Sequence, residues 1–175
     1  MKQVSPFLLR LTEQDAQEAT DDWGFNCGPG ALCAILNLTP SELRPFLGEF
    51  ESKGYTNPTL LLKTLSRCEA KFQSVFRNDD ESWTWKIPEL QNALVRVQWS
   101  GPWVKPGVPM LARYRQTHWI AVRGKAVFDI NAIGVGGWLP FETWSNWLAP
   151  WLIKECIPKG DGKWWPTHGI EVEPK

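Results

Sequence analysis

The sequence predicts an α+β fold, with helices first and an antiparallel sheet after them. Three observations point there. Helix starts and helically spaced apolar residues occupy the chain as far as Leu65. From Ala70 onward the pattern changes, and Phe72, Ser74 and Phe76 alternate with their neighbours as a half-buried strand would. Later, Gly124-Lys125 separates two short alternating runs, as a tight hairpin turn does.

Residues 1–20 join Pro6 and the apolar Phe7-Leu8-Leu9 to a polar segment, Glu13 to Glu18, and read as a short leading strand or arm. Next comes Asn26-Cys27-Gly28-Pro29-Gly30-Ala31-Leu32. A proline is tolerated in a first helical turn, where its missing N–H would be unpaired anyway, so a helix begins at or beside Cys27. Thr39-Pro40-Ser41-Glu42 has the cap, proline and glutamate of a capping box, opening a second helix through Leu43 and Phe46 to Gly48. Asn57-Pro58 opens a third, with Leu61, Leu62 and Leu65 at helical spacing.

Beyond the Phe72 strand, Pro88 to Leu94 reads as a short helix and Val95 to Trp99 as a strand, with turns at Gly101-Pro102 and Pro106-Gly107. Three strands follow, Val108 to Tyr114, His118 to Arg123 and Ala126 to Asn131. Pro140 to Trp151 is expected to form the last helix, with Trp144, Trp147 and Trp151 on one core face, and Leu152 to Ile157 a returning strand. Residues 158–175, with Trp164-Trp165, read as a tail docked on the domain. At 175 residues the chain is expected to be a single domain with its core at about 20–157.

Charge narrows the function. Lys+Arg and Asp+Glu are 19 each, so no net field draws nucleic acid or an anionic membrane surface. No apolar run reaches spanning length, and Lys2 is not followed by an apolar core and a cleavage site, so a cytoplasmic setting is expected. The four cysteines, at 27, 33, 68 and 156, lack paired metal spacing, and two histidines add little; no metal or other cofactor is implied.

Cys27 is the chemical candidate. A thiol at a helix N-terminus meets unpaired N–H groups and the positive end of the helix dipole, and both favour the thiolate. The flanking glycines allow close approach of a substrate. A buried structural cysteine fits the same place. His118 supplies a second signal. It opens the strand His118-Trp119-Ile120-Ala121-Val122, and the partner strand Val127-Phe128-Asp129-Ile130-Asn131 carries Asp129 and Asn131 on one face. Either can accept from the imidazole and fix its orientation, so that His118 activates Cys27. Elsewhere, Cys33 is expected to pack, His168 to lie on the surface beyond the sheet, and Gly134 to Gly137 to form a mobile loop bordering the cleft.

These stretches, Asn-Cys-Gly-Pro-Gly-Ala-Leu at 26–32, His-Trp-Ile-Ala-Val at 118–122 and Val-Phe-Asp-Ile-Asn at 127–131, resemble the papain-like cysteine peptidase superfamily. Within it, the similarity is closest to the bacteriocin-processing peptidase domains that cut double-glycine leaders, and it spans about residues 20–150. The resemblance implies a nucleophile helix packed on a C-terminal antiparallel sheet. It also implies a Cys27–His118–Asp129 triad and a peptide or protein substrate. Similarity to deubiquitinating Josephin domains would give the third role to Asn131.

One position departs from that pattern. About six residues before the cysteine, such peptidases carry a glutamine that donates to the oxyanion, and here Asp21 and Asp22 stand there. A carboxylate cannot donate and repels the developing charge. The Cys27 backbone N–H remains, with Gln14, Gln17, Trp23 and Asn26 as candidate second donors; losing one donor costs about 3 kcal/mol of transition-state stabilisation. Three functions are therefore expected: a cysteine peptidase or related thiol acyl-transfer enzyme acting on a peptide, isopeptide or side-chain amide; a papain-like binding module that grips a protein partner; or an effector that deamidates or cleaves a host protein.

Overall fold

The computed structural model describes residues 7–77, 87–157 and 159–174; Lys2 and Pro6 of the expected leading segment lie outside them. Among the described residues, six antiparallel strands form one sheet in the order β1-β6-β2-β3-β4-β5. They are β1 (Phe72–Arg77), β2 (Ala93–Trp99), β3 (Thr117–Arg123), β4 (Ala126–Phe128), β5 (Trp138–Pro140) and β6 (Trp164–Val172). The α+β reading holds.

The helical half begins with α1 (Glu13–Trp23), a helix where only a polar segment is expected from sequence. Thr12 and Asp15 close a capping box over its first turn, and only Ala16 and Ala19 on it are buried. No strand forms at residues 7–12. Then α2 (Cys27–Leu36) starts where expected, with the Asn26 side chain accepting from Gly28 N, and ends at Asn37 in the left-handed conformation. The Thr39–Glu42 capping box opens a short α3 (Pro40–Leu43), continued by a 3₁₀ turn at Arg44–Phe46. A further turn, α4 (Phe50–Lys53), precedes α5 (Pro58–Arg67), whose N-cap Asn57 accepts from Leu60 N at 2.7 Å.

Two apolar layers cover the sheet. On one face, Leu94, Trp119, Ala121, Phe128 and Ile170 pack under α2 and its neighbours. On the other, Val95, Val97, Ile120, Val122 and Val127 meet Trp144, Leu148, Leu152 and Ile153. With both faces covered, every residue of β2 is buried, including Arg96 and Gln98. A sandwiched central strand loses the exposed face that alternation would reveal.

Five expectations are corrected here. Val108 to Tyr114 is not a strand: Met110–Tyr114 forms a short helix, α6, after Pro109, and Gln98 Nε2 holds this segment through Arg113 O and Gln116 O, at 3.2 and 2.9 Å. Pro88 to Leu94 is not a helix; a 3₁₀ turn covers 87–89, and Ala93 already belongs to β2. Leu152 to Ile157 is not a strand either. The last helix runs on through Leu152–Cys156 and is π-wound there and over Trp144–Leu148, where Ala149 N bonds Trp144 O. Pro150 has no N–H and its ring would meet the Asn146 carbonyl in an α-helix, and a wider turn relieves both. Burial then follows the wider period, with Trp144, Leu148 and Leu152 inside but Trp147 and Trp151 59% and 47% exposed, so the three tryptophans do not share a core face. Finally, Trp164–Val172 is no docked tail. As β6 it pairs with both β1 and β2, inside the edge strand β1.

The site depends on how β3 grips α2. Arg123, at the far end of β3, donates to the carbonyls of Ala34 and Ile35 at 3.4 and 3.2 Å, a cation at the negative end of the helix dipole. At the near end, Trp119 Nε1 donates to Thr56 O at 2.8 Å. Gly28 closes this corner, because a Cβ there would sit 2.2 Å from Thr56 Oγ1. The first turn of α2 is therefore held against β3 beside His118.

Candidate active site

Cys27 is the first residue of α2 and is partly exposed. Asn26 Oδ1 accepts from Gly28 N at 3.3 Å, and the Cys27 N–H, in the first helical turn, has no acceptor within α2. This N–H points out of the helix start, as the unpaired donors of a first turn do.

His118 lies near the start of β3, 6% exposed, and the Trp99 ring stacks on it with centroids 5.5 Å apart. Its Nε2 meets Asp129 Oδ2 at 3.0 Å, which leaves Nδ1 for the thiol. Asp129 follows β4, is fully buried and caps the 3₁₀ run Ile130–Val135. Its Oδ2 also accepts from Trp144 Nε1 at 2.7 Å. Its Oδ1 accepts from Asn131 N and Asn131 Nδ2, both at 2.9 Å. A carboxylate with four donors stays charged where a bare one would not. Asn131 thus lies behind Asp129 and supports it, while Asp129 is the residue that meets the imidazole.

The electrostatics agree with this geometry. Burial pushes the Cys27 thiol up, but His118, by charge and hydrogen bonding, and the Trp119 N–H outweigh it and leave the thiol below its usual range. Burial alone would lower His118; the charges of Asp129 and Cys27, with their hydrogen bonds, lift it well above 6.5. Burial would raise Asp129, and His118, Trp144 and Asn131 together hold it low. Both shifts run in the direction that favours a thiolate beside an imidazolium. Cys33 is the contrast: it is fully buried on the same helix, and burial pushes its thiol far up.

The oxyanion candidates divide. Gln14 Nε2 is bound to Glu18 at 2.8 Å and Gln17 Nε2 to Asp21 at 2.9 Å, both along the exposed side of α1. Asp22 pairs with Arg44, which also holds Glu51, so neither aspartate stands free beside the thiol. Trp23 packs edge-on against Phe25 and Phe50 under Arg44. Asn26 Nδ2 reaches Gly54 O at 3.3 Å. Gln14, Gln17 and Asn26 are thus engaged elsewhere, which leaves the Cys27 N–H and the Trp23 ring N–H among the candidates.

Sequence reasoning missed Trp99, Trp144 and Arg96. Trp144 and Trp99 come from segments far from the two motifs, and no local spacing marks a tryptophan as a hydrogen-bond donor to a buried aspartate. Gly134 to Gly137 does not border Cys27; Gly137 packs on Phe128 and Leu9, and Gly134 on Glu13. Ile133 and Gly136 instead help line a groove with Phe7, Leu11 and Thr12, away from the triad. Half-buried His168 is a residue of β6, not a surface residue beyond the sheet. Among the described residues no cluster of His, Cys, Asp and Glu could hold a metal, and no helix is long and apolar enough to cross a membrane. No protein-family model and no curated protein matches the chain.

Proposed function

We propose that this chain is a thiol hydrolase of papain-like fold, a cysteine peptidase or a related acyl-transfer enzyme. The supporting observation is the juxtaposition of Cys27 at a helix start with His118, whose far nitrogen is held by the buried Asp129. In this reading the Cys27 thiolate attacks the carbonyl carbon of a peptide, isopeptide or side-chain amide. The oxygen takes up the charge and is met by the Cys27 N–H. His118 passes its Nδ1 proton to the departing amine, the C–N bond breaks and a thioester forms. Water, or an amine, then attacks the thioester as His118 takes its proton, and the thiolate leaves. Asp129 keeps the ring oriented and supports its positive form. The test is hydrolysis of a fluorogenic peptide and side-chain amide library by wild type and Cys27→Ala. A loss of roughly a thousandfold or more is expected, and undiminished turnover by the variant contradicts the proposal.

A second reading is favoured by one observation. Gln14, Gln17 and Asn26 are each engaged elsewhere, and a site with one oxyanion donor turns over slowly. In that case the fold serves as a binding module for a protein partner. It then binds equally well with Cys27 replaced, and its thiol labels no faster than an ordinary one.

A further inference from the structure

Arg96 is 3% exposed in the middle of β2. Its Nη2 reaches Thr117 Oγ1 at 3.2 Å, its guanidinium lies 4.8 Å over the Tyr114 ring, and its Nε is buried without a partner. No carboxylate among the described residues pairs with it. A guanidinium cannot shed its proton, so a buried one without a counter-ion carries an uncompensated desolvation cost.

Its place is specific. In the ladder Arg96 stands directly opposite Trp119, whose backbone N–H reaches the Cys27 sulfur. Paired residues share a face, so Arg96 lies on the side of the sheet that α2 covers. Across the other edge it stands opposite His168, which in turn stands opposite Arg77. Arg77, His168 and Arg96 thus form a row across three strands, one ladder step from Trp119. The Cys27 charge acts on Arg96, and the half-exposed Tyr114 ring covers its guanidinium.

We propose that Arg96 is the specificity-determining cation of this site and receives a carboxylate that the substrate carries next to the carbonyl attacked by Cys27. The guanidinium fork fits a carboxylate, and the unpartnered Nε is one of the donors such a pair uses. The source is an acidic side chain or a chain-terminal carboxylate. This inference rests on the thiol-hydrolase reading and deepens it.

The test needs no known substrate. Alkylation of Cys27 is timed with iodoacetate, which carries a carboxylate, and with neutral iodoacetamide, in wild type and Arg96→Met. The readout is the ratio of the two rates, because losing a cation beside the thiolate slows both. His118 favours the anionic reagent in either protein, so the change in ratio isolates Arg96. A fall of about tenfold is expected in Arg96→Met. Arg96→Lys keeps the charge without the fork, is the variant least at risk of misfolding, and is expected to lower the ratio about threefold. An unchanged ratio in the folded variants overturns the proposal and leaves the hydrolase reading standing. A wild-type Cys27 that reacts no faster than Cys156 with either reagent overturns both. Protection of Cys27 by N-acetylglycine, against N-acetylglutamic acid α-amide, with N-acetylglycinamide as the neutral control, identifies the source. Protection by neither acid beyond the control also overturns the proposal.

Discussion

At Asp129 one buried carboxylate serves three partners at once, the His118 ring, the Trp144 indole and Asn131. Asp129→Asn keeps the size but offers an amide where a charge supported the imidazolium. Amide hydrolysis, assayed as kcat/KM, is expected to fall by roughly 10³–10⁴, with the Cys27 thiol returning towards ordinary acidity. Trp144→Phe removes one donor from a buried anion and leaves most of the ring packing. A smaller loss is expected, about tenfold to a hundredfold in kcat/KM, and full activity would show that Trp144 only fills space. Much of this site was legible in sequence. Cys27 and His118 carry their signals in their own neighbours, a helix start and a strand opening, and Asp129 lies one hairpin away. Trp99, Trp144 and Arg96 were not legible, because only the folded sheet brings them to the triad.

Among the elements, α2 and its approach to β3 set the reach between thiol and imidazole. Gly28 sits so close to Thr56 that any side chain must push the helix start outward. Gly28→Ala is expected to destabilise by about 1–3 kcal/mol in urea unfolding and to slow Cys27 labelling; a neutral change would mean the corner is loose. The starts of α2, α3 and α5 were readable from Pro29, from the Thr39–Glu42 capping box and from Asn57-Pro58, whereas the Asn26 cap was not read. By contrast, α1 was missed because aspartate, not glutamate, closes its capping box and almost all its surface is polar. Strand β6 was missed because Pro166 argues against a central strand. The sheet accommodates it through an irregularity where Arg96 and Val97 pass it. Removing residues 160–175 therefore takes away an inner strand. Loss of cooperative unfolding by circular dichroism is expected, whereas a docked tail would leave the melting temperature within a few degrees.

For the whole molecule, the coupled charges link stability to pH. Asp129 is lowered on folding from 3.8, so its contribution is complete above that value and is lost as pH falls through the folded one. His118 is raised from 6.5, so its contribution is complete below that value and is lost as pH rises through the folded one. Cys27, lowered from 9.0, opposes the His118 slope as pH rises. The slope expected in melting temperatures followed across pH is therefore the acid one of Asp129, which His118→Ala is expected to weaken. All of this chemistry depends on the thiolate–imidazolium pair. Its most direct measure is the rate of Cys27 alkylation by iodoacetamide against pH, read by peptide mass spectrometry beside Cys33, Cys68 and Cys156. Fast labelling of Cys27 that persists below about pH 6 and disappears in His118→Ala is the predicted result. Labelling of Cys27 that tracks exposed Cys156, with an ordinary thiol midpoint near about 8.5, would contradict it.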